Sequence, residues 1–218
     1  MPAMTQPPLN SYTTFHGHRR IATGSLQANA LAARKAMEDK SSVPVLTFDD
    51  LTGRFVEVDI RGTDEEVAAR FASVAPSEAE PDDQDKLEVS SPRGRGRPRL
   101  GVIPREVTLL PRHWDWLATQ PGGASVVLRK LVEEARRANA EKDERRMAHQ
   151  RAYHFMEAIG GDLPGFEEAM RALFANDTLR LGEVLAVWPR DVRDHAMRLA
   201  FGDEYQSLFS SEDSNRKS

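Results

Sequence analysis

The sequence predicts an α+β protein, and three observations carry that expectation. Residues 12–74 alternate β-prone runs with apolar stripes of helical period, in the order ββαββα. Residues 75–92 then hold almost no large apolar side chains. Beyond them a β-prone run and several stripes of helical period lead to a helical bundle that ends near residue 202. The expected order is therefore a tail (1–11), a small α+β unit (12–74), an acidic and then basic linker (75–103), a strand-helix-helix unit (104–137), a bundle (138–202) and a second tail (203–218).

In the α+β unit, Tyr12, Phe15 and Ile21 space two short strands, or one bent strand, around His16-Gly17-His18. Ser25 is placed to cap a helix running to about Lys40, with Leu26, Ala30, Ala33 and Met37 as its stripe. Residues 43–48 and 54–60 flank Asp49-Asp50-Leu51-Thr52-Gly53, a hairpin signal. Thr63 followed by Glu66 forms a capping box that opens a helix with Val67, Phe71 and Val74 inward. A unit of about sixty residues buries little surface by itself and needs its second face covered.

Charge is divided abruptly along the linker. Residues 76–91 carry six acids and one lysine, whereas residues 93–101 carry four arginines and no acid. The overall charge of −4 conceals this boundary. Gly and Pro hold the basic run out of helix, so Arg93, Arg95, Arg97 and Arg99 cannot gather on one helical face or bury a core. A thin cationic peptide suits the DNA minor groove, where narrow A·T tracts concentrate negative potential. Arg95-Gly96-Arg97-Pro98 resembles the AT-hook of chromatin proteins. That resemblance implies Arg95 and Arg97 in the groove, Gly96 allowing close approach, Pro98 setting direction, and Arg93 and Arg99 on phosphates. A plain solvated linker is the alternative.

Residues 106–110 (Glu-Val-Thr-Leu-Leu) are β-prone, and Pro111 stands where a helix starts. Trp114, Leu117 and Ala118 are the expected apolar face of that helix, which Pro121-Gly122-Gly123 ends. Ser125 is the expected cap of the next, with Val127, Leu128, Leu131, Val132 and Ala135 as its stripe. Strand, helix, glycine turn and helix in this order resemble the ribbon-helix-helix module, in which two chains pair their strands in the major groove. The resemblance implies base or backbone roles for Arg105 and Thr108, and a phosphate held by Ser125 and the amides before it. Register leaves two possibilities open. Leu110 inward sends Leu109, Val107 and Arg105 outward, while the other register presents Glu106, Thr108 and Leu110.

Helical period and i,i+4 pairs (Glu133–Arg137, Glu141–Arg145) continue the second helix as a charged rod to about Gln150. Tyr153, Phe155, Met156 and Ile159 return it to a core, and Gly160-Gly161 stops it. Three short helices follow. The first has Phe166, Met170, Leu173 and Phe174 inward; Thr178 caps the second, with Leu181, Val184, Leu185 and Trp188. The third begins at Pro189 and carries Val192, Ala196 and Leu199.

The absence of cysteine excludes disulfides, thiolate metal sites and cysteine nucleophiles. No run is apolar enough to span a membrane and no signal-peptide core opens the chain, so a cytoplasmic location is expected. His16 and His18 alternate on a strand, but two imidazoles are not a metal site and they read as turn residues. Asp49, Asp50 and Asp59 read as turn and surface acids. No catalytic constellation can be assembled, so neither an enzyme nor a cofactor is expected. Gly96-Arg97-Pro98-Arg99-Leu100-Gly101, residues 106–117, residues 161–167 and Asp191-Val192-Arg193-Asp194-His195 together resemble an uncharacterised bacterial family, domain of unknown function family 2239. The family implies no activity. The expected function is binding of A·T-rich DNA, as a homodimer, with a protein–protein adaptor anchored by Trp114 and Trp116 as the alternative.

Overall fold

A computed structural model describes residues 11–38, 42–72, 103 and 105–202. The protein is α+β, and its chain divides into two compact units: Met1–Ala75 with Glu141–Ser218, and Pro76–Ala140.

The first unit is built on a four-stranded antiparallel sheet of order β2-β1-β3-β4, comprising β1 (Tyr12–His16), β2 (Arg19–Gly24), β3 (Val45–Asp49) and β4 (Phe55–Val56). The β1–β2 segment is a hairpin, with His16 opposite Arg19 and a bulge between Thr14 and Phe15. Its two-residue turn needs a positive φ at the first central position; Gly17 supplies +58° there. Helix α1 (Leu26–Glu38) lies against β1, β2 and β3, and helix α2 (Asp64–Ala72) lies against α1.

Strand alternation assigns the two faces of this sheet. Thr14 and Thr47 point toward α1, where Thr14 Oγ1 donates to Asn29 Oδ1 at 2.8 Å. The buried Asn29 amide in turn donates to the carbonyls of Tyr12, Gly24 and Ser25. This polar seam is fully satisfied, so it costs little although it is buried. Phe15 and Phe48 point the other way and are inaccessible to solvent.

They meet the second part of helix α4 (Gly123–Gly160), whose Phe155 ring lies 5.3 Å from Phe15 and 5.0 Å from Phe48. Helices α5 (Phe166–Phe174), α6 (Thr178–Leu185) and α7 (Arg190–Phe201) complete the same core. The sheet and the downstream helices, read from the sequence as separate units, thus share one interior. The small sheet gains the second cover it needs from helices far downstream in the chain, and truncating any of the three phenylalanines would cost about 3–5 kcal/mol.

Several helical details depart from the sequence expectation. Met37 is 60% exposed, and α1 buries Asn29, Ala30 and Ala33 instead. Phe174 is likewise 60% exposed, because Ala169, Ala172 and Leu173 form the buried face of α5. Asp177, not Thr178, caps α6, its carboxylate accepting from Arg180 N–H at 2.9 Å. The expected cap at Ser25 and capping box at Thr63 are present: Ser25 Oγ accepts from Ala28 N–H, and Thr63 and Glu66 exchange reciprocal bonds.

In the second unit, a segment without regular secondary structure at residues 105–110 runs into α3 (Pro111–Thr119), and a turn at residues 120–122 leads into α4. Pro111 occupies the first helical turn as expected. Residues 106–110 are not paired as a strand.

Candidate nucleic-acid interface

Of the residues the sequence singles out for nucleic acid, Arg93, Arg95, Gly96, Arg97, Pro98 and Arg99 lie outside the described residues. Arg105, Thr108 and Ser125 all belong to the second unit and are exposed. Arg105 and Thr108 stand on the irregular segment before α3. Ser125 is not the cap of α4: the helix begins two residues earlier, at Gly123, and places Ser125 in its first turn. Gly123 N–H is directed at the Gln120 carbonyl, 3.5 Å away. The amides that follow lie in the turn that lacks intrahelical acceptors.

The register of residues 106–110 follows neither simple alternation. Leu109 is half-buried, whereas Val107 is 52% and Leu110 48% exposed. On α3 the expected face of Trp114, Leu117 and Ala118 reduces to Leu117, which alone is buried. Trp114 and Trp116 are 42% and 49% exposed, so both indoles present apolar surface.

The first unit contains a constellation that sequence reading missed. Asp50 is buried, not a surface acid as expected from its turn position. Its Oδ2 accepts from Ser11 Oγ at 2.8 Å and Thr13 Oγ1 at 3.1 Å, while its own amide donates to the Ser11 carbonyl. Ser11, assigned from sequence to a loose tail, is therefore fixed. His195, inaccessible on α7, brings Nε2 to 3.4 Å from Asp50 Oδ1, and Arg198 brings Nη2 to 3.9 Å from Oδ2. Burial pushes the Asp50 carboxyl above its ordinary value, against the hydrogen bonds from Ser11 and Thr13. Burial, followed by the charges of Arg198 and Arg20, pushes His195 well below its ordinary value. An imidazole sealed between Phe15 and Phe155 has no route to a substrate, so the arrangement joins the β3 turn to α7.

The other histidines do not converge. His149 is buried, with Nε2 3.0 Å from Asn176 Oδ1, and His154 Nε2 lies 3.1 Å from Arg54 Nη2. His16 is half-buried and His18 exposed at the hairpin turn. Among the described residues, no group of three or more His, Asp and Glu side chains is placed to hold a metal ion. Nor is any helix among them long and apolar enough to cross a membrane.

A bacterial family described as an uncharacterized protein conserved in bacteria, DUF2239, matches residues 11–200. The chain belongs to this family. No curated protein and no solved structure matches it. The DUF2239 span contains all of Ser11, Asp50, His195 and Arg198, so the buried network lies wholly inside the family domain.

Two signals in this DUF2239 chain could have located that network. Leu46, Phe48 and Asp50 continue one period of two, which assigns Asp50 to the core face even though β3 ends one residue earlier. His195 occupies the i+3 position between Val192 and Ala196 on the apolar stripe of α7.

Proposed function

We propose that the protein binds A·T-rich DNA, with Arg95 and Arg97 in the minor groove and Arg93, Arg99 and Arg105 on phosphates. The observation that carries this reading is the basic run itself: four arginines spaced by Gly and Pro, without an acid, immediately before a helical unit. The exposure of Arg105, Thr108 and Ser125 on that unit supports it. Arg105 and Thr108 then lie at the DNA beside the hook, and Ser125 with the preceding amides holds a further phosphate. A second copy of the chain is the proposed cover for Val107, Leu110 and Trp116, because a segment this short with Leu117 as its buried anchor has little core of its own.

The test is fluorescence anisotropy with A·T-rich and G·C-rich duplexes across a salt series. Arg97→Ala should weaken A·T-rich binding most, whereas Arg93→Ala should mainly reduce the salt slope. Equal effects of both on every duplex would reduce the hook to general electrostatics. Absence of binding at low salt would end the DNA reading.

The exposed Trp114 and Trp116 support a second reading, a protein–protein adaptor anchored by two indoles. Retention of a protein partner that Trp116→Ala abolishes, with no DNA affinity, would favour it.

A further inference from the structure

From the β1–β2 hairpin of the first unit we infer a second phosphate-binding surface, one that takes the backbone of duplex DNA. Two clefts, of about 650 and 400 Å³, adjoin at the hairpin turn and share His16 and Arg19 as lining. Arg19, Arg20, Lys35 and Arg190 contribute the charged walls, from three different elements. Among the described residues, Asp191 is the one carboxylate lining either cleft, and its Oδ2 already accepts the backbone N–H of Arg20 at 2.9 Å.

The two clefts gather four cations against a single carboxylate among their described lining. Some exposed arginines elsewhere are matched by acids, Arg61 by Asp59, Arg146 by Asp143 and Arg171 by Glu168. Among the described residues, Arg19, Arg20 and Lys35 form no ion pair. Arg190 reaches Asp194 only at 3.5 Å and keeps its side chain 84% exposed. Unpaired cations held close together repel one another, and a polyanion is the partner that relieves this while releasing its own counterions. The fold has also fixed their positions. The Gly17 turn, anchored by its N–H to the Pro44 carbonyl at 2.8 Å, sets Arg19 on the hairpin, and Arg20 is tied to α7 through Asp191. The clefts are lined mainly by charged and small side chains with no aromatic platform beyond His16 and His18, which suits backbone contact and not base stacking.

The inference rests on the DNA-binding reading but concerns different residues, so the two can fail separately. The experiment measures DNA affinity of the full chain across a salt series for four proteins. These are the native chain, the variant Arg95→Ala with Arg97→Ala, the hairpin variant Arg19→Gln, Lys35→Gln, Arg190→Gln, and a control, Arg61→Gln, Arg146→Gln, Arg171→Gln. Arg20 is left intact because its charge acts on the buried His195. The side chains substituted in the hairpin and control variants are exposed, and circular dichroism melts verify that each variant folds.

The hairpin variant should lower the slope of log affinity against log salt by about 2 to 3, at roughly 0.9 for each phosphate no longer neutralised, and keep the A·T preference. The control should leave the slope near native. An unchanged slope in the hairpin variant, with binding abolished in the hook variant, would overturn the second surface and leave the hook standing. Equal reductions in the hairpin and control variants would also overturn it, in favour of total charge. Native protein that binds phosphatidylserine vesicles but no DNA, with vesicle binding abolished in the hairpin variant, would replace it with a lipid surface. Native protein that binds neither would end both readings.

Discussion

Arg198 Nη2 lies 2.8 Å from Nδ1 of His195, and this contact sets the tautomer of a buried imidazole. A guanidinium can only donate, so Nδ1 must accept and the His195 proton resides on Nε2. That N–H faces Asp50 Oδ1 at 3.4 Å. Asp50 thereby sits among three hydrogen-bearing side chains, Ser11, Thr13 and His195, with the Arg198 charge beyond them.

Removing the carboxylate should take this acceptor from Ser11 Oγ and His195 Nε2, while Thr13 Oγ1 keeps Thr23 Oγ1 at 3.4 Å. Asp50→Ala is expected to destabilise the fold by about 3 kcal/mol, read from the urea midpoint. Asp50→Asn keeps an acceptor oxygen and should cost less. Equal destabilisation in the two variants would reduce Asp50 to a space-filling role.

The same network predicts how stability responds to acid. His195 has a folded pKa well below 6.5, so at pH below 6.5 the unfolded chain binds a proton that the folded chain refuses. Stability should accordingly be full above pH 6.5 and fall as the pH drops, by up to about 1.4 kcal/mol per unit. His149, also lowered by burial, adds to this slope with the same sign. Asp50, raised above 3.8, acts oppositely: its contribution is present below 3.8 and lost as pH rises through its folded value. Unfolding free energies at pH 7.5, 6.5 and 5.5 should show the fall, and His195→Gln should flatten it. An unaltered slope in that variant would assign the effect elsewhere.

Gly53 couples the β3–β4 turn to α4. Its φ is +68°, and a Cβ built there would collide with the Arg151 carbonyl, which is helix backbone and cannot swing aside. Gly53→Ala should therefore destabilise by about 2–4 kcal/mol, combining positive-φ strain with displacement of the turn. Thermal melts should show the drop, whereas Gly24→Ala meets no neighbouring atom and should cost less.

At the start of α6, Asp177→Ala should cost about 1 kcal/mol through loss of the bond from Arg180 N–H. Thr178→Ala should be nearly neutral. Thermal melts that ranked the two variants in the reverse order would restore the cap that the sequence pattern suggests.

Local chemistry was enough to specify much of this protein. The ββαββα order, the capping box at Thr63 and Glu66, Pro111 at the start of α3, and Pro189 and Gly202 at the ends of α7 all follow from neighbours a few residues apart. The arginine run, too, is visible in sequence alone, since it depends on composition and not on packing. What only the tertiary structure decided are the long-range partnerships. Asp50 and His195 stand far apart in the chain, and a hairpin aspartate and a helical histidine each have ordinary local explanations. Burial makes them partners: once Phe15, Phe48 and Phe155 exclude water, a carboxylate placed there by strand alternation must find its donors within the protein. The cationic walls at the hairpin have the same origin, since Arg19, Lys35 and Arg190 become neighbours only when α1 and α7 pack against β2.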